Sequence, residues 1–184
     1  MSKGFFEVFP TLKLNSKLHD LMEQTQVERA SSTAKRDFLR IYISSDKLIQ
    51  KTQIWEVEKA IKDQLFQTVN ITIKIYEKFF LSAQFTPEIL TDIYKESILE
   101  ELKEYNHVLF TAYQNAKISF ETPGQMILDC KESSLVRLMQ EEFIRILEKI
   151  YVERCGLSVH FQVIYHEEES CIDKEQEEKA LASQ

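Results

Sequence analysis

Apolar positions along this chain switch between two periods, and the switches mark its elements. From Ser133 to Tyr165, Leu135, Leu138, Met139, Phe143, Ile146, Leu147 and Ile150 recur at spacings of three and four, which predicts one stripe of a long amphipathic helix. Arg137, Gln140, Glu141, Glu148 and Lys149 fall mainly on the opposite side. Ser133 or Ser134 can accept from the free amides of the first turn, and Gly156 after Arg154 supplies a residue able to take a left-handed conformation at the helix end. Beyond Gly156 the period becomes two: Leu157, Val159, Phe161 and Val163 alternate with Ser158, His160 and Gln162, the pattern of a strand with one buried face.

The same order of helix then strand occurs earlier. Thr52 is placed to cap a helix with Ile54, Val57, Ile61, Leu65 and Phe66 on one stripe, and Asn70 leads into Ile71, Ile73 and Ile75 alternating with Thr72, Lys74 and Tyr76. The two arrangements lie roughly 85 residues apart, outside the periods of short-repeat solenoids. They share architecture with slight residue identity.

Taken in order, the chain opens on Phe5, Phe6, Val8 and Phe9, an aromatic segment expected to dock on the first unit. Leu14, Leu18, Leu21 and Met22 space as a short helix with Asn15 or Ser16 as its cap. Val27–Ser31 and Asp37–Ser44 read as a hairpin, with Leu39, Ile41 and Ile43 on one face and Phe38, Arg40 and Tyr42 on the other. Lys78–Phe85 reads as an apolar connector packed between two halves. Thr86-Pro87-Glu88 starts a helix whose stripe is Leu90, Tyr94, Ile98, Leu102 and Tyr105, with a break near Asn106 and a second helix to Tyr113. Ile118–Phe120, the Pro123-Gly124 turn and Met126–Leu128 form a second hairpin. The predicted fold class is α+β: two consecutive helix-backed three-stranded sheet units, α-β-β-α-β over residues 1–80 and α-α-β-β-α-β over 81–166, packed together, with an acidic disordered tail or linker over 167–184.

Charge refines this division. The formal charge of −7 divides into −5 from Glu167 to Gln184, where seven acids meet two lysines, and −2 for the rest. A near-neutral fold weighs against general nucleic-acid binding without excluding a local basic patch. Cys130, Cys155 and Cys171 share no metal-site spacing, and the first two are expected to pack as small apolar residues in a reducing compartment. There is no apolar run of signal-peptide or membrane-span length, so the expectation is a soluble cytoplasmic protein.

Little in the chain points to reactive chemistry. His19, His107, His160 and His166 are read as structural, Gly4, Gly124 and Gly156 are too isolated to form a phosphate loop, and Ser44, Ser45, Ser133 and Ser134 are better explained as turn and cap residues than as nucleophiles. Adjacent pairs such as Glu100-Glu101 and Glu141-Glu142 diverge by about 100° on a helix and cannot converge on one metal. No catalytic residue, metal site or cofactor is expected. One stretch has a functional reading: Arg29, Lys35, Arg36 and Arg40 interleave with Phe38 and Tyr42, a basic and aromatic strip suited to phosphates and stacked bases. The competing reading, a face covered by Phe5–Phe9 or by a partner protein, weighs more given the near-neutral fold.

Several stretches, in this order, resemble the N-terminal region of the PolC-type DNA polymerase III alpha subunit. They are Phe6-Glu-Val-Phe-Pro10, Val27-Glu-Arg29, Arg36 to Ile43, Ile71 to Ile75, Leu99 to Tyr105, Ile144 to Ile150 and Glu153-Arg-Cys-Gly156. The similarity runs from about Phe5 to Tyr165. It implies a first part similar to the polymerase-binding C-terminal domain of the clamp-loader tau subunit and a second part similar to a type II KH domain. The Gly-x-x-Gly loop by which KH domains hold nucleic acid is absent, so no KH-type contact carries over. The whole protein that the resemblance implies is a DNA-directed DNA polymerase with a 3′-5′ exonuclease, while this region is expected to be non-catalytic. It is expected to serve protein interaction or positioning in the replisome during DNA replication, with partners such as the tau subunit or the rest of the polymerase. The alternative is a nucleic-acid-binding module guiding template or primer through the hairpin at 27–43, with DNA held weakly. A small independent enzyme is the least supported reading, and neither a membrane nor a small-molecule substrate is expected.

Overall fold

A computed structural model describes residues 1–167. In chain order the elements are β1 (Lys3–Gly4), α1 (Phe5–Val8), α2 (Ser16–Glu23), β2 (Gln26–Ser32), β3 (Phe38–Ser45), α3 (Lys51–Leu65), β4 (Thr72–Phe79), α4 (Pro87–Ile93), α5 (Lys95–Tyr105) and α6 (His107–Asn115). They continue with β5 (Lys117–Thr122), β6 (Gln125–Lys131), α7 (Ser134–Leu138), α8 (Gln140–Glu148), a π-helical turn (Lys149–Arg154) and β7 (His160–His166). Two mixed sheets result, ordered β1-β2-β3-β4 and β5-β6-β7. The fold class is α+β.

Each sheet joins an antiparallel hairpin to a parallel crossover: β2 pairs antiparallel with β3 and β3 parallel with β4, and β5 pairs antiparallel with β6 and β6 parallel with β7. A parallel neighbour cannot be reached by a tight turn, so a helix must carry the chain back across the sheet. That is why both helix-then-strand patterns exist. The first sheet departs from the three-stranded expectation through β1, which pairs Lys3 with Val27 and Gly4 with Gln26. Phe5 follows at once, fully buried, with Phe6 and Phe9 against its ring at 5.3 and 5.0 Å.

Helix α3 buries Ile54, Val57 and Ile61 and packs on β4, whose Ile73 and Ile75 lie beside Ile41 and Ile43 of β3 in one core. Its N-cap is Gln50 rather than Thr52. Gln50 is extended, and its N–H donates to Gln53 Oε1 at 3.0 Å, so the helix opens sooner. Strand β4 runs past Ile75 to Phe79, which is buried, while Phe80 is 63% exposed. The apolar connector therefore begins as strand. Asn15, Thr86, Asn106 and Ser133 cap their helices by accepting from Leu18, Ile89, Val108 and Val136 N–H.

The long helix expected from Ser133 breaks at Met139. Val136 turns inward, whereas Leu138 is 82% exposed and Leu135 is also exposed, so the first two leucines do not belong to the buried stripe. From Phe143 the stripe holds through Ile146, Leu147, Ile150 and Tyr151, and the last turn widens, with Cys155 N–H donating to Ile150 O at 3.2 Å. The helix from Pro87 likewise divides at Tyr94, and Tyr105 is exposed. The tail assigned to 167–184 lies outside the described residues apart from Glu167.

Two glycines have left-handed backbone, Gly124 at φ 77° in the second hairpin turn and Gly156 at φ 68° after the π turn. A Cβ on Gly124 would stand 2.9 Å from Ser158 O, whereas one on Gly156 would meet nothing within 4 Å. Gly156→Ala is therefore expected to cost about 1 kcal/mol, the left-handed penalty alone. Gly124→Ala adds a backbone clash and is expected to cost roughly 2–3 kcal/mol. Urea unfolding of the two variants should rank them in that order.

Candidate functional site

The outward face of the first sheet is set by strand alternation. In β3, Ile41 and Ile43 are buried toward α3, so Arg40 and Tyr42 face the other way and are half-buried. In β4 the same parity sends Lys74, Tyr76 and Lys78 outward. An irregularity between Val27 and Arg29 brings Arg29 opposite Tyr42, and Tyr42 in turn stands opposite Tyr76.

This register makes a ladder across three strands. The Arg29 guanidinium lies 4.2 Å from the Tyr42 ring centroid, and the Tyr42 and Tyr76 rings stack at 5.1 Å with 19° between their planes. Nearer the hairpin tip, Arg40 lies 4.8 Å from the centroid of Phe38. Arg29, Phe38, Arg40 and Tyr42 of the expected strip are thus brought onto the sheet in two cation-ring pairs. Lys35 and Arg36 are exposed in the hairpin turn, with Arg36 at φ 55° and its N–H bonded to Thr33 O at 2.9 Å. Lys74, Tyr76 and Lys78 join the face from β4. Sequence reasoning missed them because the strand that carries them arrives only after α3.

The aromatic opening segment does not cover these rings. Phe6 stacks on His19 of α2 at 4.4 Å, and Phe5 and Phe9 are buried together, so the segment is spent against α2 and the β2 edge. A cavity of about 600 Å³ opens where the sheet meets the later helices: Arg29, Tyr42 and Tyr76 line one side, and Glu104, Lys149 and Glu153 line the other.

The base of that cavity is a buried chain of alternating charges. Lys51 Nζ donates to Glu77 Oε1 at 2.8 Å, Arg154 Nε lies 3.5 Å from the same oxygen, and the Arg154 fork donates to both oxygens of Glu101 at 2.7 and 2.8 Å. Lys51 also donates its backbone N–H to Ser97 Oγ at 3.0 Å, and Ser97 donates onward to Gln50 Oε1. Lys51, Glu77 and Arg154 are all under a tenth exposed. Burial alone would raise the Glu101 carboxyl, but the Arg154 hydrogen bonds and charge outweigh it and hold the group below its ordinary value. Burial by itself would depress Arg154, and Glu101 and Glu77 reverse this so that it stays firmly protonated. Each of these four charges has an opposite beside it, which makes the group a join between β4, α3, α5 and the π turn rather than a reactive centre.

The remaining candidates do no chemistry by their placement. Burial pushes the Cys130 thiol up to about 11 and the Cys155 thiol up to about 12, where neither is nucleophilic near neutral pH. Cys171 lies outside the described residues. His166 Nδ1 pairs with Asp129 Oδ1 at 2.7 Å, and His107 stacks on Phe110. His19, Asp20 and Glu23 bring ligand atoms within 4.8 Å of one another on α2, a grouping outside the sequence reading, and all three are exposed. No helix among the described residues is long and apolar enough to cross a membrane.

Residues 4–75 match the family described as DNA polymerase III polC-type N-terminus I. Over these residues the chain is similar to the N-terminal region of PolC-type polymerases. The match runs from Gly4 through the middle of β4, so it includes Arg29, Phe38, Arg40 and Tyr42 and ends just before Tyr76. The match is consistent with a part in DNA replication. Comparison with curated proteins and with solved structures yields no match.

Removing one member of the buried chain of charges should be far more damaging than losing a surface ion pair. Arg154→Met leaves Glu77 and Glu101 facing an apolar side chain and is expected to cost roughly 3–5 kcal/mol in urea unfolding. The folded Glu101 value is depressed, so its contribution is fully present above the unfolded value of about 4.3 and is lost as pH falls through the lower folded value. Glu101→Gln should therefore flatten the acid limb of the stability profile, measured as unfolding free energy against pH.

Proposed function

We propose that this chain is a non-catalytic N-terminal module of a PolC-type replicative polymerase, serving protein interaction or positioning in the replisome. The observation that carries the reading is the family match over the first sheet unit. Two features of the structure support it. The Cys130 and Cys155 thiols are buried, and the buried charges of the cavity base are mutually paired, so these groups are committed to structure. The sheet that carries the match is joined to the later helices through Arg154, which holds Glu77 of the first sheet's last strand and Glu101 of α5 in one grip. A module whose parts are so joined presents its surfaces at fixed separations, as a positioning element requires.

Protein partners of this reading are the clamp-loader tau subunit and the remainder of the polymerase. Immobilised Met1–Gln184 is expected to retain one of them from a mixture of purified replication proteins, and a polymerase lacking the segment is expected to lose that association while its nucleotide incorporation on a short primed template stays intact. Retention of none, together with unchanged replisome assembly by the shortened polymerase, would sink the proposal.

A further inference from the structure

The open face of the first sheet concentrates positive charge on a fold that carries −2 through His166. Arg29, Lys35, Arg36, Arg40, Lys74 and Lys78 lie on this face or at its hairpin tip. Among the described residues, Lys74 is the one of the six in an ion pair, with Glu104 at a long 4.0 Å. Two acids are nearest in sequence: Glu28, which accepts from Ser44 Oγ and lines the same cavity, and Asp37, which accepts from Thr33 Oγ1 in the hairpin turn. We propose that this face is a binding site for a single nucleic-acid strand, held by its phosphates.

The ring geometry decides the mode. Both faces of Tyr42 are occupied, by Arg29 at 4.2 Å and Tyr76 at 5.1 Å, and Arg40 lies over Phe38. A base cannot lie flat on Tyr42, so recognition does not run through a stack on that ring. What the ladder presents instead is a guanidinium set over an aromatic face, together with the Tyr42 and Tyr76 hydroxyls, which have no hydrogen bond among the described residues. Guanidinium and hydroxyl donors in a row suit phosphate oxygens, and contacts to phosphate carry no base preference. The opposite side of the 600 Å³ cavity favours one strand over two, because Glu104 and Glu153 outnumber Lys149 there and would repel a second row of phosphates.

This site stands apart from the protein-interaction reading, and the two can fail separately. Fluorescence anisotropy of Met1–Gln184 with a labelled oligothymidine of about twenty nucleotides, at salt from about 50 to about 200 mM, tests it. Binding is expected in the micromolar range at low salt and should weaken steeply with salt, with the same affinity for oligothymidine and oligoadenosine. Arg29→Gln with Arg40→Gln should weaken it at least about five-fold and reduce the slope of log affinity against log salt by about 1.4, the contribution of two phosphate contacts. Lys17→Gln with Lys117→Gln, at exposed cations on α2 and β5, should leave affinity unchanged within about two-fold. Should the arginine pair also lower the melting temperature, Lys74→Gln with Lys78→Gln gives the same readout without removing a guanidinium from a ring. Absence of binding at low salt, equal weakening by the control pair, or tighter binding of duplex would overturn the proposal. Tighter binding of an oligoglutamate peptide would also overturn it, in favour of an acidic protein segment.

Discussion

The Glu77 carboxylate is the point at which this molecule is tied together. It sits on the inward face of β4, where strand parity allows only buried side chains, and it is held by Lys51 at the start of α3 and by Arg154 at the end of the π turn. An isolated carboxylate there would be prohibitively costly, so the two cations must arrive for β4 to keep its register beside β3. Arg154 in turn brings Glu101 of α5. A buried ion chain contributes little net stability relative to well-packed apolar side chains, but it tolerates few alternatives, because any slip leaves a charge unpaired. The join between the first sheet and the later helices is specified more sharply than an apolar contact would specify it.

The widened last turn of the second crossover belongs to this join. A continuous α-helix from Gln140 would carry the stripe Phe143, Leu147, Ile150 and Tyr151 onward, and the π turn re-aims its final residue. Arg154 thereby points at β4 of the other sheet while Tyr151 remains in the core with Thr91 at 2.7 Å. Gly156 then lets the chain reverse, with Leu157 N–H returning to Tyr151 O at 2.9 Å before β7 begins.

Much of this was legible in the residues. The helix-then-strand pairs, the caps at Asn15, Thr86 and Ser133, the left-handed Gly156 and both hairpins arise from period and turn chemistry, which are local. The charge chain left a trace that an apolar search passes over: Glu77 continues the alternation of Ile71, Ile73 and Ile75, and Arg154 falls three and four residues beyond Tyr151 and Ile150. A charged residue in phase with an apolar stripe signals burial with a partner, although its partner's identity is set by tertiary packing. Leu135 and Leu138 misled for the opposite reason, since spacing alone cannot tell that a helix will break at Met139 and turn them out. The ring ladder was half visible, because Arg29 and Tyr42 belong to one hairpin whereas Tyr76 reaches them through a parallel pairing whose register no local pattern encodes.

The same parallel pairing explains why the ladder's face can stay open without making the sheet an aggregation template. On the far edge of β4 the Ile75 N–H donates to Glu58 Oε1 at 2.7 Å, so α3 occupies a backbone group that an added strand would need. Burial raises the Glu58 carboxyl above its ordinary value, and the Ile75 hydrogen bond acts against that rise, which favours the ionised acceptor the edge requires. At the other edge β1 is two residues long, too short to seed pairing, and gives way at once to the buried Phe5. With both edges occupied and the inner face spent on α3, the surface left to the first sheet is its outward face, and there its cations and rings are displayed.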